Sequence, residues 1–263
     1  TFVSIMKKHK FHMISGVNTL YEALLNYDGF KELDFSNLLM SLSGGMAALD
    51  TTAKRWAEVT KSVIWQAYGL TETSPLVSVN DYKQTEFTGS VGLPAAFTEI
   101  EIRDENGNAL SETNAVGELC VRGPQVMSGY WKSEVSGLDE NNWFMTGDIA
   151  RIDETGNIFI VDRKKDMIIV SGFNVFPNEV EAVVNEHPAV LECGCVGIKG
   201  EGSQELVKVF IVLHDGQTAS EDEIISFCRE KLTAYKVPKH IEFIKEIPKT
   251  NVGKVLRREL KTN

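Results

Sequence analysis

The chain has 263 residues, a length that suits one or two domains at about 150 residues each. With 43% hydrophobic and 24% charged residues it has the composition of a globular protein with a substantial core, which excludes a disordered chain. Its 27 basic and 37 acidic side chains leave a formal charge of −10, a poor match for the phosphates of a nucleic acid.

The longest aliphatic runs, such as Met167-Ile168-Ile169-Val170, are far shorter than the ~20 apolar residues of a membrane span. Cys120, Cys193, Cys195 and Cys228 form no C-x-x-C pair and are expected to be reduced and buried, as in a cytosolic protein. The chain opens Thr-Phe-Val-Ser on what reads as an amphipathic helix, without initiator Met or signal peptide, and is expected to be a fragment. Charge is uneven: residues 1–98 carry net −1, 99–162 net −9 and 163–263 net 0, so composition shifts near 98 and 162. Residues 236–261 hold eight Lys or Arg against three Glu, which reads as a solvated face or as a surface for an anionic small molecule.

In chain order, Asn18 is expected to cap a helix to about Tyr27, with Leu20, Tyr21, Leu24 and Leu25 on one face. Leu38 to Leu42 reads as a buried strand ending at Ser43-Gly44-Gly45. Asp50 is expected to cap a helix to about Lys61, and Val63 to Tyr68 reads as a second strand, followed by Gly69-Leu70-Thr71-Glu72-Thr73. Strand, helix, strand at this spacing is a βαβ unit and predicts parallel strands. Both glycine-bearing loops then fall at strand C-termini, where open α/β sheets bind ligands. Residues 85–162 form short alternating segments between turn residues, which predicts a small β-barrel or meander. The remainder reads as α+β. A helix follows Pro177-Asn178, strands lie near 190–198 and 206–214, Ser220 with Glu223 caps a helix to about Thr233, and a last strand lies near 240–246. The expected organisation is an α/β layer over 1–84, a β-barrel subdomain over 85–162 and a small α+β domain over 163–263.

Chemistry-bearing residues gather at these loops. Thr146-Gly147-Asp148 precedes a hairpin with strands 149–152 and 158–161, and bringing its ends together predicts Asp148 beside Asp162 and Arg163. A carboxylate can accept two vicinal hydroxyls and a guanidinium donates as a fork, which suits a ribose; a turn carboxylate beside a surface arginine is the alternative. In Tyr68-Gly69-Leu70-Thr71-Glu72, an aromatic ring can lie on a purine, a hydroxyl can bond phosphate and a carboxylate can hold Mg²⁺. The same residues also suit a strand end with a capping threonine. Ser43-Gly44-Gly45-Met46 admits a ligand to the backbone or marks a tight turn. Lys254, just after Gly253, suits a mobile point charge for phosphate or carboxylate, or belongs to a basic tail.

Taken in order, Tyr-Gly-Leu-Thr-Glu at 68–72, Thr-Gly-Asp at 146–148, Asp-Arg-Lys-Lys-Asp at 162–166 and Pro-Lys-Thr-x-x-Gly-Lys at 248–254 resemble the adenylate-forming superfamily of acyl-CoA synthetases, luciferases and peptide-synthetase adenylation domains. Asn142 to Asp148 through Asp162 to Lys165 is similar to the fatty-acyl-CoA synthetase motif. Gln125-Val126-Met127, Ser171-Gly172-Phe173-Asn174-Val175 and Tyr235-Lys236-Val237-Pro238 resemble bacterial long-chain fatty-acid–CoA ligases. The resemblance covers essentially the whole chain. It implies an enzyme that joins a fatty acid to ATP, releases pyrophosphate and passes the acyl-adenylate to coenzyme A.

By that resemblance, Thr71 would touch the nucleotide phosphate and Glu72 would hold Mg²⁺. Tyr68, Gly69, Ile160 and the Gly44-Gly45 loop would belong to the nucleotide site, with Tyr68 and that loop also lining the acyl pocket. Asp148 and Arg163 would bind the ribose. Lys254 would bridge the α-phosphate and the substrate carboxylate. The small domain would rotate about a hinge at Lys165 between half-reactions, after which Ser171-Gly172-Phe173 would line the pantetheine tunnel. Asn142 departs from the motif, which usually has Gly there, and Arg151 to Thr155 is a free version of its variable middle. A Ser/Thr/Gly-rich phosphate loop ending in Lys has no equivalent between Thr1 and Thr71, so the chain alone is expected to be inactive. Transfer to a carrier protein, or a non-catalytic nucleotide- or CoA-binding module, are the competing readings. The implied setting is the cytoplasm, with contact at the inner face of the membrane and a homodimer both left open.

Overall fold

The computed structural model describes residues 2–134, 136–200, 204–250 and 253–261. The chain divides into two compact units, Thr1–Ile160 and Val161–Asn263.

The first unit begins with α1 (Phe2–Met6), β1 (Met13–Gly16), α2 (Asn18–Leu25), β2 (Met40–Gly44), α3 (Asp50–Thr60), β3 (Ile64–Gly69), β4 (Leu76–Val79) and β5 (Leu93–Pro94). These strands form one sheet in the order β1-β2-β3-β4-β5. The β1–β2 and β2–β3 pairs are parallel, and β3–β4 and β4–β5 antiparallel. The expected parallel βαβ unit is therefore β2-α3-β3, while β1 adds a parallel strand that the sequence pattern does not single out. Tyr21, Phe30 and Trp56 are fully buried between helices and sheet. The Tyr21 and Trp56 rings meet edge to face at 4.6 Å, and their polar ends stay bonded: Tyr21 Oη donates to the Leu42 carbonyl at 2.7 Å and Trp56 Nε1 to Ser41 Oγ at 2.9 Å.

The two predicted helix caps are corrected. Val17 and Leu49 are the N-cap residues, and Asn18 and Asp50 are the first helical residues. Each side chain has another engagement. Asn18 Oδ1 accepts the Leu49 N–H at 2.9 Å, tying the start of α2 to the start of α3, and Asp50 pairs with Lys54 one turn on at 2.6 Å. The first helix ends two residues before Tyr27, at Leu25, and the second ends at Thr60 with Lys61 as its C-cap, as expected.

The chain continues into β6 (Glu99–Arg103), β7 (Gly117–Arg122), β8 (Phe144–Ile152) and β9 (Ile158–Arg163), a meander in the order β6-β7-β8-β9. This sheet starts later than residue 85, because Leu93–Pro94 pairs with β4. Its inward residues Leu119, Val121, Ala150 and Ile158 pack with Val77 and Val91.

The second unit holds β10 (Ile168–Val170), β11 (Phe173–Val175), α4 (Pro177–Val184), β12 (Val190–Lys199), β13 (Glu205–Leu213), α5 (Glu221–Arg229), β14 (His240–Phe243) and α6 (Arg257–Leu260). Strands β12, β13 and β14 form a sheet, antiparallel then parallel, and β10 and β11 form a hairpin. Strand β13 alternates with period two. Val207, Val209 and Ile211 pack with Val180 and Val184 of α4 and Ile224 and Cys228 of α5, whereas Phe210 and Val212 pack with Ile247 and Leu260. Ser220 caps α5 as expected, its Oγ accepting the Glu223 N–H at 3.3 Å while Glu223 Oε2 accepts the Ser220 N–H at 2.7 Å. All four cysteines are free and buried.

Candidate active site

Strand β3 runs toward Gly69, where the backbone leaves no room for a side chain. A Cβ there would collide with the Pro75 carbonyl, and that carbonyl accepts the Leu70 N–H at 3.0 Å. Glycine is therefore demanded by a close backbone approach. The chain turns through a 3₁₀ helix, Thr71–Thr73, which leaves Thr71 exposed and Glu72 half-buried. Thr73, not Thr71, is the capping threonine: its Oγ1 donates to the Pro75 carbonyl at 2.6 Å and accepts the Leu70 N–H at 3.0 Å. Thr71 is thus not consumed by the turn.

Asp148 reaches this strand end from the second sheet of the same unit. Between the β7–β8 pairs Cys120↔Met145 and Glu118↔Ile149, three residues of β8 oppose one of β7. Such a bulge re-aims side chains. Gly147 takes φ +72, its N–H bonded to Glu118 Oε1 at 3.1 Å, and Thr146 Oγ1 donates to the Leu119 carbonyl at 2.8 Å while accepting the Asp148 N–H at 3.1 Å. The result is a carboxylate, 5% exposed, whose Oδ2 accepts the Tyr68 hydroxyl at 2.6 Å. A strand-end tyrosine and the Thr-Gly-Asp turn, 80 residues apart in sequence, form one polar corner.

Residues outside the motifs support this corner. Tyr130 Oη donates to Glu72 Oε1 at 3.0 Å, and the Glu72 carbonyl accepts the Met127 N–H at 2.8 Å. The bond to Glu72 raises the Tyr130 hydroxyl above its ordinary pKa. The loop after Gly44-Gly45 is held by buried Gln66, whose Oε1 accepts the Ala48 N–H at 2.8 Å and whose Nε2 donates to the Ser90 carbonyl at 3.0 Å. Asn80 Oδ1 in turn accepts the Gln66 N–H, and Asn80 Nδ2 donates to the Ser90 carbonyl at 3.0 Å. Neither Tyr130 nor Gln66 is marked by spacing; only the fold brings them to the loops they hold. Ile160 ends the first unit, half-buried against its β-sheet core.

Among the described residues no group of three or more His, Cys, Asp or Glu could hold a metal ion. A lone half-buried carboxylate such as Glu72 fits Mg²⁺ of the kind that takes one or two carboxylates and completes its octahedron with water and phosphate. Burial pushes the Cys120 and Cys228 thiols up to about 11 and the Cys193 and Cys195 thiols well above the ordinary value, so none of the four is poised as a nucleophile.

Arg163, Lys165, Ser171, Gly172, Phe173 and Lys254 belong to the second unit. Arg163 ends β9, and Lys165 lies exposed in the 3₁₀ turn Lys164–Asp166 that follows. Ser171 and Gly172 form the two-residue tip of the β10–β11 hairpin with φ +51 and +83, the backbone of a type I′ turn. Phe173, 55% exposed, stacks on Tyr235 with centroids 4.7 Å apart, so two motif runs distant in sequence meet on one surface. Lys254 sits half-buried on a turn closed by the Lys249↔Val255 bridge. The Lys254 N–H bonds Thr250 Oγ1 at 3.1 Å and the Lys254 carbonyl accepts the Thr250 N–H at 2.8 Å. Asn251 and Val252, within the same motif, lie outside the described residues.

Comparison with known proteins gives two family matches. Residues 1–131 match the model of the AMP-binding enzymes, and residues 179–254 that of the AMP-binding enzyme C-terminal domain. A long-chain-fatty-acid–CoA ligase of Escherichia coli O157:H7 is 51% identical over 261 residues, and that of Bacillus subtilis strain 168 is 39% identical over 260. Each alignment covers 98% of this chain and 46% of the relative, so the chain spans about half the length of the curated relatives it matches. Among solved structures, ATP-bound MatB from Rhodopseudomonas palustris superposes with a TM-score of 0.92 at 29% identity, covering 99% of this chain and 52% of that one. An o-succinylbenzoate CoA synthetase from Bacillus subtilis, in complex with an acyl-adenylate intermediate, gives 0.85 at 30% identity, covering 99% and 53%.

Proposed function

We propose, from the premise that the chain belongs to the AMP-binding enzyme family, that it serves the ATP-dependent activation of a long-chain fatty acid. The fatty-acid carboxylate attacks the α-phosphate of ATP, the α–β phosphoanhydride bond breaks and pyrophosphate leaves. The thiol of coenzyme A then attacks the acyl carbon and AMP leaves. The observation that carries the assignment is the 2.6 Å contact between Tyr68 and Asp148 at the C-terminal end of a parallel strand. It supports a nucleoside site: Asp148 Oδ atoms accept the vicinal ribose hydroxyls while the Tyr68 ring lies on the purine.

In this reading the Gly44-Gly45 loop, Gly69 and Ile160 border the nucleotide, Thr71 bonds a phosphate oxygen, and Arg163 adds a second ribose contact. Glu72 would hold Mg²⁺, which when bound neutralises phosphate charge. Lys254 offsets the negative charge that develops between carboxylate and α-phosphate. Rotation about Lys165 exchanges Lys254 for Ser171-Gly172-Phe173, and the exposed Phe173–Tyr235 stack gives coenzyme A an apolar face. No helix among the described residues is long and apolar enough to cross a membrane.

The test separates the half-reactions in the intact protein. Lys254→Ala is expected to lower fatty-acid-dependent ATP–pyrophosphate exchange about 100-fold or more, while thioester formation from supplied acyl-adenylate stays within about threefold. Asp148→Ala is expected to raise the KM for ATP about tenfold, the worth of a charge-assisted hydrogen bond. Equal loss of both half-reactions in Lys254→Ala, or an unchanged KM in Asp148→Ala, overturns the assignment.

A further inference from the structure

Arg257 lies three residues beyond Lys254, and its guanidinium is among the most enclosed charges of the second unit. Its Nη2 donates to both carboxylate oxygens of Glu181, at 2.9 and 2.8 Å, and to Asn178 Oδ1 at 2.7 Å. Its Nε donates to the Cys195 carbonyl at 3.2 Å, and its Nη1 stands 3.7 Å from Asp166 Oδ2. Asp166 closes the same 3₁₀ turn that carries Lys165. Asp162, at the start of that segment, joins from the other side: its Oδ2 accepts the Asn178 N–H at 2.7 Å and its Oδ1 the Arg163 N–H at 2.7 Å. Glu181 Oε1 also accepts the Cys195 N–H at 2.7 Å. One arginine thus fastens the C-terminal segment to α4, to β12 and to residues 162–166.

Such a cluster is costly to bury and is retained only where its groups are paired. Burial works against the Arg257 charge, but Glu181 and Asp162 outweigh it and hold the guanidinium firmly ionised. A lysine could supply the charge but not the fork, which here donates in three directions at once.

We propose that Arg257 is a positioning residue. It locks the turn bearing Lys254 to α4, β12 and Asp166, all C-terminal to Lys165, so that rotation about Lys165 delivers the ammonium as part of a rigid body and not at the end of a loose tail. This rests on the roles proposed above for Lys254 and Lys165. A small misplacement of a charge aimed at a transition state can cost about two orders of magnitude in rate, and only the half-reaction that uses Lys254 should feel it.

The experiment measures both half-reactions in the intact protein for Arg257→Lys, Glu181→Gln and Lys254→Ala. Arg257→Lys should lower the kcat of fatty-acid-dependent ATP–pyrophosphate exchange about tenfold or more, with KM for ATP within about twofold and thioester formation from supplied acyl-adenylate within about threefold. Glu181→Gln keeps the size and the acceptor oxygen, and should shift the same step in the same direction by a smaller factor. Exchange at the wild-type rate in Arg257→Lys, or equal loss of both half-reactions in Arg257→Lys and Glu181→Gln alike, overturns the positioning role. Lys254→Ala is the control. If it lowers both half-reactions equally, the underlying assignment of Lys254 fails; if it is selective and Arg257→Lys is silent, only the positioning role fails.

Discussion

Asn142 occupies a left-handed turn, φ +61, with its N–H bonded to the Asp139 carbonyl at 3.0 Å. The related motif usually carries Gly at this position, and the backbone explains the exchange: asparagine enters the left-handed region more readily than other residues with a Cβ. Asn142→Gly should therefore change stability by less than about 0.5 kcal/mol, whereas Asn142→Ala should lose about 1 kcal/mol. Urea unfolding of the two variants checks this, and equal midpoints would refute it. The same scale sets the limit on reading single residues from sequence. Ser220 is legible as a cap because its partner Glu223 lies three residues on. Asn18 and Asp50 look equally suited, but Asn18 is claimed by the Leu49 N–H, 31 residues away, and Asp50 by Lys54. Cap chemistry is readable only when the side chain has no better offer from elsewhere in the fold.

At the scale of elements, the alternating segments from Glu99 onward announce the β6–β9 meander, because one face of each strand is buried against a shared core. Strands β1 and β5 are not announced. Four and two residues long, they are defined by the neighbour they pair with and not by their own pattern. The bulge that aims Asp148 is likewise a relation between two strands. A second such relation joins β6 to the loop before β8. Arg103 Nη1 donates to Asp139 Oδ2 at 2.8 Å, and Asp139 Oδ1 accepts the Asn141 and Trp143 N–H groups at 2.8 and 2.9 Å. Partial burial opposes ionisation of Asp139, but the Arg103 bond and the two N–H groups outweigh it and hold its carboxyl below the ordinary range. A depressed carboxylate contributes stability that is present above its unfolded pKa of about 3.9 and is lost as pH falls through the lower folded value. Asp139→Asn should thus cost about 1 kcal/mol at pH 7, after screening, and the gap to wild type should close below about pH 4. Unfolding free energies measured across pH 3 to 7 give the answer; a gap that stays constant would exclude the mechanism.

At the scale of the molecule, charge and packing divide the chain in compatible ways. The acidic excess of net −9 falls in residues 99–162, almost all within the first unit, while residues 163–263, which lie in the second unit, are neutral. The ordered motifs identify the family because each motif is short and local, and the polar corner of Tyr68 and Asp148 is assembled within one unit. The Arg257 network is invisible in the sequence for the opposite reason: its partners Asn178 and Glu181 stand 79 and 76 residues away. That network and the two apolar layers of β13 lie wholly inside Val161–Asn263. A domain of about 100 residues with its own core can fold alone, and no disulfide is involved, since Cys193, Cys195 and Cys228 are buried thiols. Residues 161–263 produced separately should therefore unfold in urea in one cooperative step and give dispersed amide resonances. A broad, non-cooperative transition would mean that this core is completed by the first unit. In the same piece, Arg257→Met should lower the unfolding free energy, read from the urea transition, by about 3 kcal/mol, because Glu181 would be left as a buried charge without its partner.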